Sequence, residues 1–220
     1  MNSAAGLADI DSAKTSHIQP RLTLLTTLTS PFGRKVRMAA EILGLSSYVV
    51  VSHADTADPQ DRLRIHNPMG KIPCLVAADG NAYYDSSVIV EYLQELAGTD
   101  RLLPHRGSER IAMLRDARLA DGIIDAGALV IYEERYHNPV TRSPYWTAYQ
   151  KDKIRRSLSA FEKQLPDPER SDIVSISLSC ALGFLDKRQI LEWRKTHLRL
   201  VAWLEAFAAN EASFDMTRAR

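Results

Sequence analysis

The chain has 220 residues, 45% hydrophobic and 25% charged, the balance of a folded protein with a sizeable core, so disorder as the main state is excluded. With 28 Lys plus Arg against 27 Asp plus Glu the net charge is +1, and no global field draws the chain to nucleic acid or to an anionic membrane. Cys74 and Cys180 have neither disulfide-scaffold nor zinc-ligand spacing, which fits a reducing cytoplasm and no metal.

In chain order, Met1–Pro20 lacks the basic start, apolar stretch and cleavage site of a secretory signal and reads as a flexible tail. Arg21–Thr26 is β-prone; a loop over Thr27–Ser30 and a helix over Pro31–Leu43 follow. Tyr48–Ser52 is apolar and β-branched without alternation, the pattern of a parallel strand covered on both faces, and it closes a βαβ unit. A short helix is expected over Asp58–Ile65, then turn residues over His66–Pro73. Ile72–Ala77 and Ala82–Tyr84, split by Asp79-Gly80-Asn81, predict an antiparallel hairpin. Asp85–Ala97 has helical spacing behind a polar cap, giving the order βαβαββα.

After Gly98–Gly107 only helical patterns follow, at about Ser108–Tyr136, Pro144–Gln164, Ile173–Leu185 and Thr196–Ala208. The charge-free runs Ile42–Ala54 and Ile173–Leu185 are shorter than the roughly 18 apolar residues of a membrane span. The expected organisation is a tail over 1–20, an α/β domain over 21–100 and an all-helical domain over 107–220.

Three local features carry chemistry. In Ser30-Pro31-Phe32-Gly33-Arg34-Lys35-Val36-Arg37, a strand ends and a helix begins; Ser30 suits the N-cap and Pro31 the first helical position. Arg34, Lys35 and Arg37 sit where the helix dipole disfavours cations, so hydroxyl, free amides and basic side chains together suit an anion or a thiolate. In a thioredoxin-type fold a redox CxxC would occupy this turn; Ser-Pro-Phe-Gly excludes disulfide exchange there. Next, Ile72-Pro73 opens a strand, either as a trans edge proline or as a cis bond that leaves the Ile72 backbone free to pair with an extended, peptide-like ligand. Finally, Asp85-Ser86-Ser87 starts a helix, as a plain cap or as a grip on a ligand's amino and carboxylate end.

The segments SPFGRKVR at Ser30, NPMGKIPCL at Asn67, DSSVIVEYL at Asp85, LRDARLADGI at Leu114, RSPYWTAYQKDKI at Arg142 and CALGFLDKR at Cys180 carry a resemblance over Arg21 to about Phe214. The chain resembles glutathione S-transferases, in particular bacterial members whose first helix opens Ser-Pro-aromatic-x-Arg-Lys-Val. The resemblance implies a thioredoxin-like N-terminal domain joined to an all-helical domain (α/β plus all-α), in a cytoplasmic homodimer that detoxifies small hydrophobic electrophiles with glutathione as co-substrate and no metal. It implies that Ser30 stabilises the glutathione thiolate, that Phe32 and Ile72 before Pro73 contact the tripeptide, and that Asp85 and Ser86 hold its γ-glutamyl end. Tyr132, Tyr136 and Trp146, with Tyr149, are expected to border the electrophile pocket, although aromatics at this spacing also suit helix packing. Asp121 matches a region that in some members reaches the γ-glutamyl amine, or is a helix-surface acid in an ion pair.

Two segments depart from the family pattern. Asp172-Ile173-Val174-Ser175 stands where members carry Ser/Thr-x-x-Asp, so Asp172 is expected to cap and Ser175 to return a bond. Gln164–Ser171 is a short polar link in place of a longer, glycine-containing loop. Isomerisation or dehalogenation by the same thiolate, and a non-catalytic ligand- or partner-binding role, are the alternatives to conjugation. Cys74 is expected in a strand core and Cys180 on an apolar helix face.

Overall fold

A computed structural model describes residues 21–218, so the tail expected over residues 1–20 lies outside the described residues. Four strands, β1 (Leu22–Thr26), β2 (Val49–His53), β3 (Cys74–Val76) and β4 (Ala82–Tyr84), form one sheet in the order β2-β1-β3-β4. β1 and β2 are parallel, while β3 is antiparallel to both of its neighbours, β1 and β4. Helices α1 (Pro31–Ile42) and α3 (Ser86–Ala97) cover one face, and the short α2 (Leu63–His66) covers the other.

The side-chain alternation of the strands explains this sandwich. Leu22 and Leu24 pack with Val36, Ala40, Ile89 and Leu93 under α1 and α3, whereas Leu25 packs with Leu63 and Cys74 on the α2 side. Along β3, Leu75 and Ala77 join the first cluster and Cys74 and Val76 the second. The expectation that β2 is covered on both faces is overturned: β2 is an edge strand, half-buried to exposed along its length. Its unbroken valine run reflects β-propensity at an edge and no second layer.

From residue 108 on, the regular elements of the described residues are helical: α4 (Ser108–Tyr136), α5 (Pro144–Lys163), α6 (Ile173–Arg188), a 3-10 turn over Trp193–Lys195, α7 (Leu198–Asn210) and α8 (Ala212–Met216). Helix α6 is buried along most of its length and packs against both α4 and α1. Met38, Ala39, Ile42 and Val90 join the core of the helical part, so one apolar cluster runs across both parts of the chain.

The buried α6 needs its orphan amides satisfied, and Asp172 does so: its Oδ1 accepts from Val174 N–H and Ser175 N–H, both at 3.0 Å. The expected return bond from Ser175 is not formed among the described residues; the carboxylate instead meets Arg170 at 3.4 Å. Asp172→Ala is expected to cost about 1–2 kcal/mol, seen as a lowered denaturation midpoint at unchanged slope. An unchanged midpoint would remove the capping role.

Candidate functional site

Strand register places the three sequence features together. Leu25 of β1 pairs with Cys74 at the start of β3, and Cys74 pairs with Tyr84 at the end of β4. Hence the exit of β1 toward Ser30, the entry to β3 through Ile72-Pro73 and the exit of β4 into Asp85-Ser86 all lie at one end of the sheet.

Ser30 caps α1: its Oγ accepts from Gly33 N–H at 3.1 Å. That contact uses an acceptor lone pair, so the hydroxyl proton is available to a ligand. Gly33 holds the turn tightly, since a Cβ there would stand 2.1 Å from Thr26 Oγ1. The first turn of α1 is thereby pressed onto the end of β1, which fixes the Ser30 hydroxyl. Phe32, the next candidate, is half-buried and packs against the helical core.

The Ile72-Pro73 bond is cis, with Pro73 buried. Among the described residues Ile72 makes no backbone hydrogen bond, consistent with backbone groups left for a ligand. Asp85 has φ 54° and ψ 138°, a region costly for a residue with a side chain, and its Oδ1 caps α3 by accepting from Ser87 N–H at 2.8 Å. Its carboxylate is exposed, and Ser86 beside it is buried.

Under this corner lies an ion cluster that joins the two parts of the chain. Lys35 Nζ donates to both Asp121 carboxylate oxygens, at 3.0 and 2.9 Å, and to Ser87 Oγ at 3.2 Å. Lys35 and Asp121 are each 0% exposed, and Arg118 reaches Asp121 at 3.1 Å. Asp121 is therefore an ion-pair member, inside the molecule and not on a helix surface. Arg118 also lies 3.9 Å from the Asp85 carboxylate. Asp125, one turn further along α4, was not anticipated: burial pushes its carboxyl up, Arg118 and Lys71 pull it down, and Asp121 and Asp85 add to the rise.

The other two basic residues of α1 serve the chain's own carbonyls. Arg34 Nη2 donates to Phe214 O at 2.6 Å, and Arg37 Nη2 donates to Thr217 O at 2.9 Å and Leu28 O at 3.2 Å. They tie α1 to the end of α8. The expectation that the basic turn as a whole serves an external anion is corrected, since all three side chains have internal partners: a carboxylate for Lys35, and neutral acceptors only for Arg34 and Arg37.

A cavity of about 480 Å³ opens beside Ser30, walled by the β1–α1 loop, α6, α7 and α8, with Leu28, Pro31, Phe184, Leu204 and Phe214 as its apolar lining. Tyr132, Tyr136 and Trp146 do not line it. They are exposed, in two pairs at the end of α4 and the start of α5, with Tyr132 against Tyr136 at 5.6 Å and Trp146 against Tyr149 at 5.9 Å between ring centroids.

Cys74 and Cys180 are both free and buried, in a strand core and within α6 as expected. Burial pushes each thiol up to about 11, so both stay protonated and poorly nucleophilic near neutral pH. Among the described residues no His/Cys/Asp/Glu group is arranged to hold a metal ion, and no helix is long and apolar enough to cross a membrane.

Comparison with known proteins bears on this geometry. Residues 29–96 match the family described as glutathione S-transferase, N-terminal domain. An uncharacterized GST-like protein of Escherichia coli, YibF, is 30% identical over 196 residues, covering 87% of this chain and 96% of YibF. A glutathione transferase family member from Pseudomonas fluorescens, crystallised with bound glutathione, superposes with a TM-score of 0.84 at 38% identity over 90% of this chain and 99% of its own. A glutathione S-transferase from Methylobacillus flagellatus, also with glutathione bound, gives 0.80 at 32% identity over 90% of this chain and 100% of its own.

Proposed function

Since this chain belongs to the glutathione S-transferase family, we propose that it binds glutathione at the sheet end and ionises the thiol beside Ser30 for attack on a small hydrophobic electrophile. The observation that carries this reading is the convergence, fixed by strand register, of the Ser30 hydroxyl, the Ile72 backbone and the Asp85-Ser86 turn. The glutathione bound in the relatives from Pseudomonas fluorescens and Methylobacillus flagellatus supports it.

In this mechanism the ligand extends along the sheet end. Asp85 receives the γ-glutamyl ammonium, and Ser86 at the start of α3 receives the γ-glutamyl carboxylate, where the helix amides favour an anion. Ile72 pairs with the cysteinyl backbone as one more strand would, and Phe32 and Pro73 flank it. The sulfur then lies at the N-terminus of α1, where the Ser30 hydroxyl donates to the thiolate and the helix dipole lowers the thiol pKa. The protein contributes orientation and ionisation, and glutathione contributes the nucleophile. The electrophile is held in the cavity beside Ser30 or against the Tyr132, Tyr136 and Trp146 surface. We also infer a cytoplasmic homodimer, supported by the exposed apolar side chains Ile65, Met69 and Val88 on and around α2 and α3.

Isothermal titration with reduced glutathione tests the reading, with Asp85→Gly as the diagnostic variant. Glycine accepts the φ of 54° without strain and costs a cap only a few tenths of a kcal/mol, so stability should hold or rise. Affinity should nevertheless fall about tenfold or more, because a charge-assisted contact worth about 1.5–3 kcal/mol is lost. A silent wild-type titration up to several times the millimolar range of cellular thiols, or a variant that titrates like the parent, would overturn it.

A further inference from the structure

Resting on the reading above and adding a substrate class to it, we propose that the cavity beside Ser30 takes electrophiles bearing a carboxylate, received by the Arg34 guanidinium. Arg34 follows Ser30 by one turn of α1, and both line the cavity. Its side chain is 8% exposed, yet among the described residues no carboxylate forms a salt bridge with it. Its partners are the Phe214 carbonyl at 2.6 Å, the Thr217 hydroxyl at 3.4 Å and the Phe214 ring, whose centroid lies 4.3 Å away. A guanidinium so far out of water, hydrogen-bonded only to neutral groups, is costly; the nearby Asp215 carboxylate is already paired with Arg218, and an anion entering beside Arg34 would offset the cost.

Among the described residues the third nitrogen, Nη1, has no hydrogen-bond acceptor, and its place depends on a glycine. Arg34 Nη1 lies against Gly183 of α6, where a Cβ would stand 2.6 Å from it. Of the two carboxylates on the cavity wall, Asp186 is already held by Arg194, at 2.6 to 3.2 Å, and by the Trp193 indole at 2.8 Å. Glu205 is exposed and its field falls on Arg194. Arg218 adds a second cation at the rim, beside Asp215 and over the Phe214 ring at 5.3 Å. The remaining wall, with Leu28, Phe184 and Leu204, is apolar. A planar carboxylate on an aromatic or short aliphatic body matches a planar guanidinium set in such a wall. Ser30, the N-cap of α1, and Arg34, in its first turn, face the same cavity, so one substrate spans the thiolate and the guanidinium.

Two arms test the assignment on the full chain. The first needs no glutathione: 3-nitrobenzoate and its neutral isostere 3-nitrobenzamide are titrated into the protein. The acid should bind about tenfold tighter, and Arg34→Gln should remove the preference. Because Arg34 also ties α1 to α8, its melting curve is recorded, and Arg218→Gln, at the exposed rim, serves as a second variant expected to reduce the preference severalfold. Equal binding of acid and amide to the wild type would overturn the proposal. The second arm follows conjugation of glutathione with 4-chloro-3-nitrobenzoate against the matching amide. The thiolate bonds the ring carbon bearing chlorine, the carbon–chlorine bond breaks, chloride leaves with the electron pair, and the thiol proton goes to solvent. Rates normalised to the uncatalysed reaction should favour the acid about tenfold. An acid preference in the first arm without turnover would leave the cavity assignment standing and count against the transferase reading. Turnover with no acid preference in either arm would do the reverse.

Discussion

Lys35→Met is expected to lose about 3–5 kcal/mol of stability, the usual consequence of removing one partner from a buried ion pair. For a chain of this size that lowers the melting temperature by roughly 6–20 °C. The reason is the geometry of Asp121: with both carboxylate oxygens on Lys35 Nζ and no solvent exposure, it is left with Arg118 and the Ser87 hydroxyl when the ammonium is gone. The double variant Lys35→Met/Asp121→Leu should recover most of the loss, because apolar side chains of similar volume replace the pair without stranding a charge. The same ammonium holds Ser87 Oγ at 3.2 Å in the first turn of α3, so the single variant should also weaken glutathione binding at Asp85 and Ser86. Thermal unfolding of the two variants decides the point. A single variant within about 1 kcal/mol of the parent would mean that Asp121 is not left as an uncompensated buried charge when the ammonium is removed.

This ion cluster was only half legible in the sequence. Ser30, Pro73 and Asp85 were readable because each is a local event: a cap, a proline at a strand entry, a carboxylate before a helix. Strand register then brings them to one sheet end, which the order βαβαββα already implied. The cations of α1 were not readable in the same way. Placed near a positive helix terminus, they suggested an external anion, yet the partner of Lys35 lies 86 residues away, and Arg34 and Arg37 each reach a carbonyl 180 residues away. Only tertiary packing shows that α8 and the residue that caps its end supply those two carbonyls. The cavity has the same origin, since its walls come from the β1–α1 loop and three helices distant in the chain.

Element boundaries failed where periodicity had too few residues to act on. Helix α2 covers four residues, Leu63–His66, where a helix from Asp58 was expected, because Asp58 and Asp61 side chains cap Gln60 N–H and Leu63 N–H and turn the chain instead. Helix α8, five residues long, is too short to show a period at all. It is nevertheless the element that ties Arg34 and Arg37 in place, so a short unread segment carries much of the cavity's shape. The edge position of β2 was missed for a different reason: a run of three valines reads alike in a central strand and at an edge.

Ser30→Ala should reduce turnover with glutathione by roughly 10- to 100-fold at neutral pH, since a hydrogen bond to a charged group is worth about 1.5–3 kcal/mol. The hydroxyl donates to thiolate better than to thiol, so its loss raises the bound thiol pKa by about one to two units at 1.36 kcal/mol per unit. The sign fixes the test. A thiol with a higher pKa is less ionised at pH 7, so the pH–rate profile of the variant moves toward alkaline pH and the deficit shrinks as pH rises past the parent's thiol pKa. Glutathione affinity should stay within a fewfold, because Ile72, Asp85 and Ser86 are untouched. Folding stability should drop by about 1 kcal/mol, since Gly33 N–H loses its capping oxygen. These readouts separate the two roles of Ser30. A cap alone predicts the stability loss with an unchanged pH profile, whereas a thiolate partner predicts the alkaline shift even where the protein is fully folded.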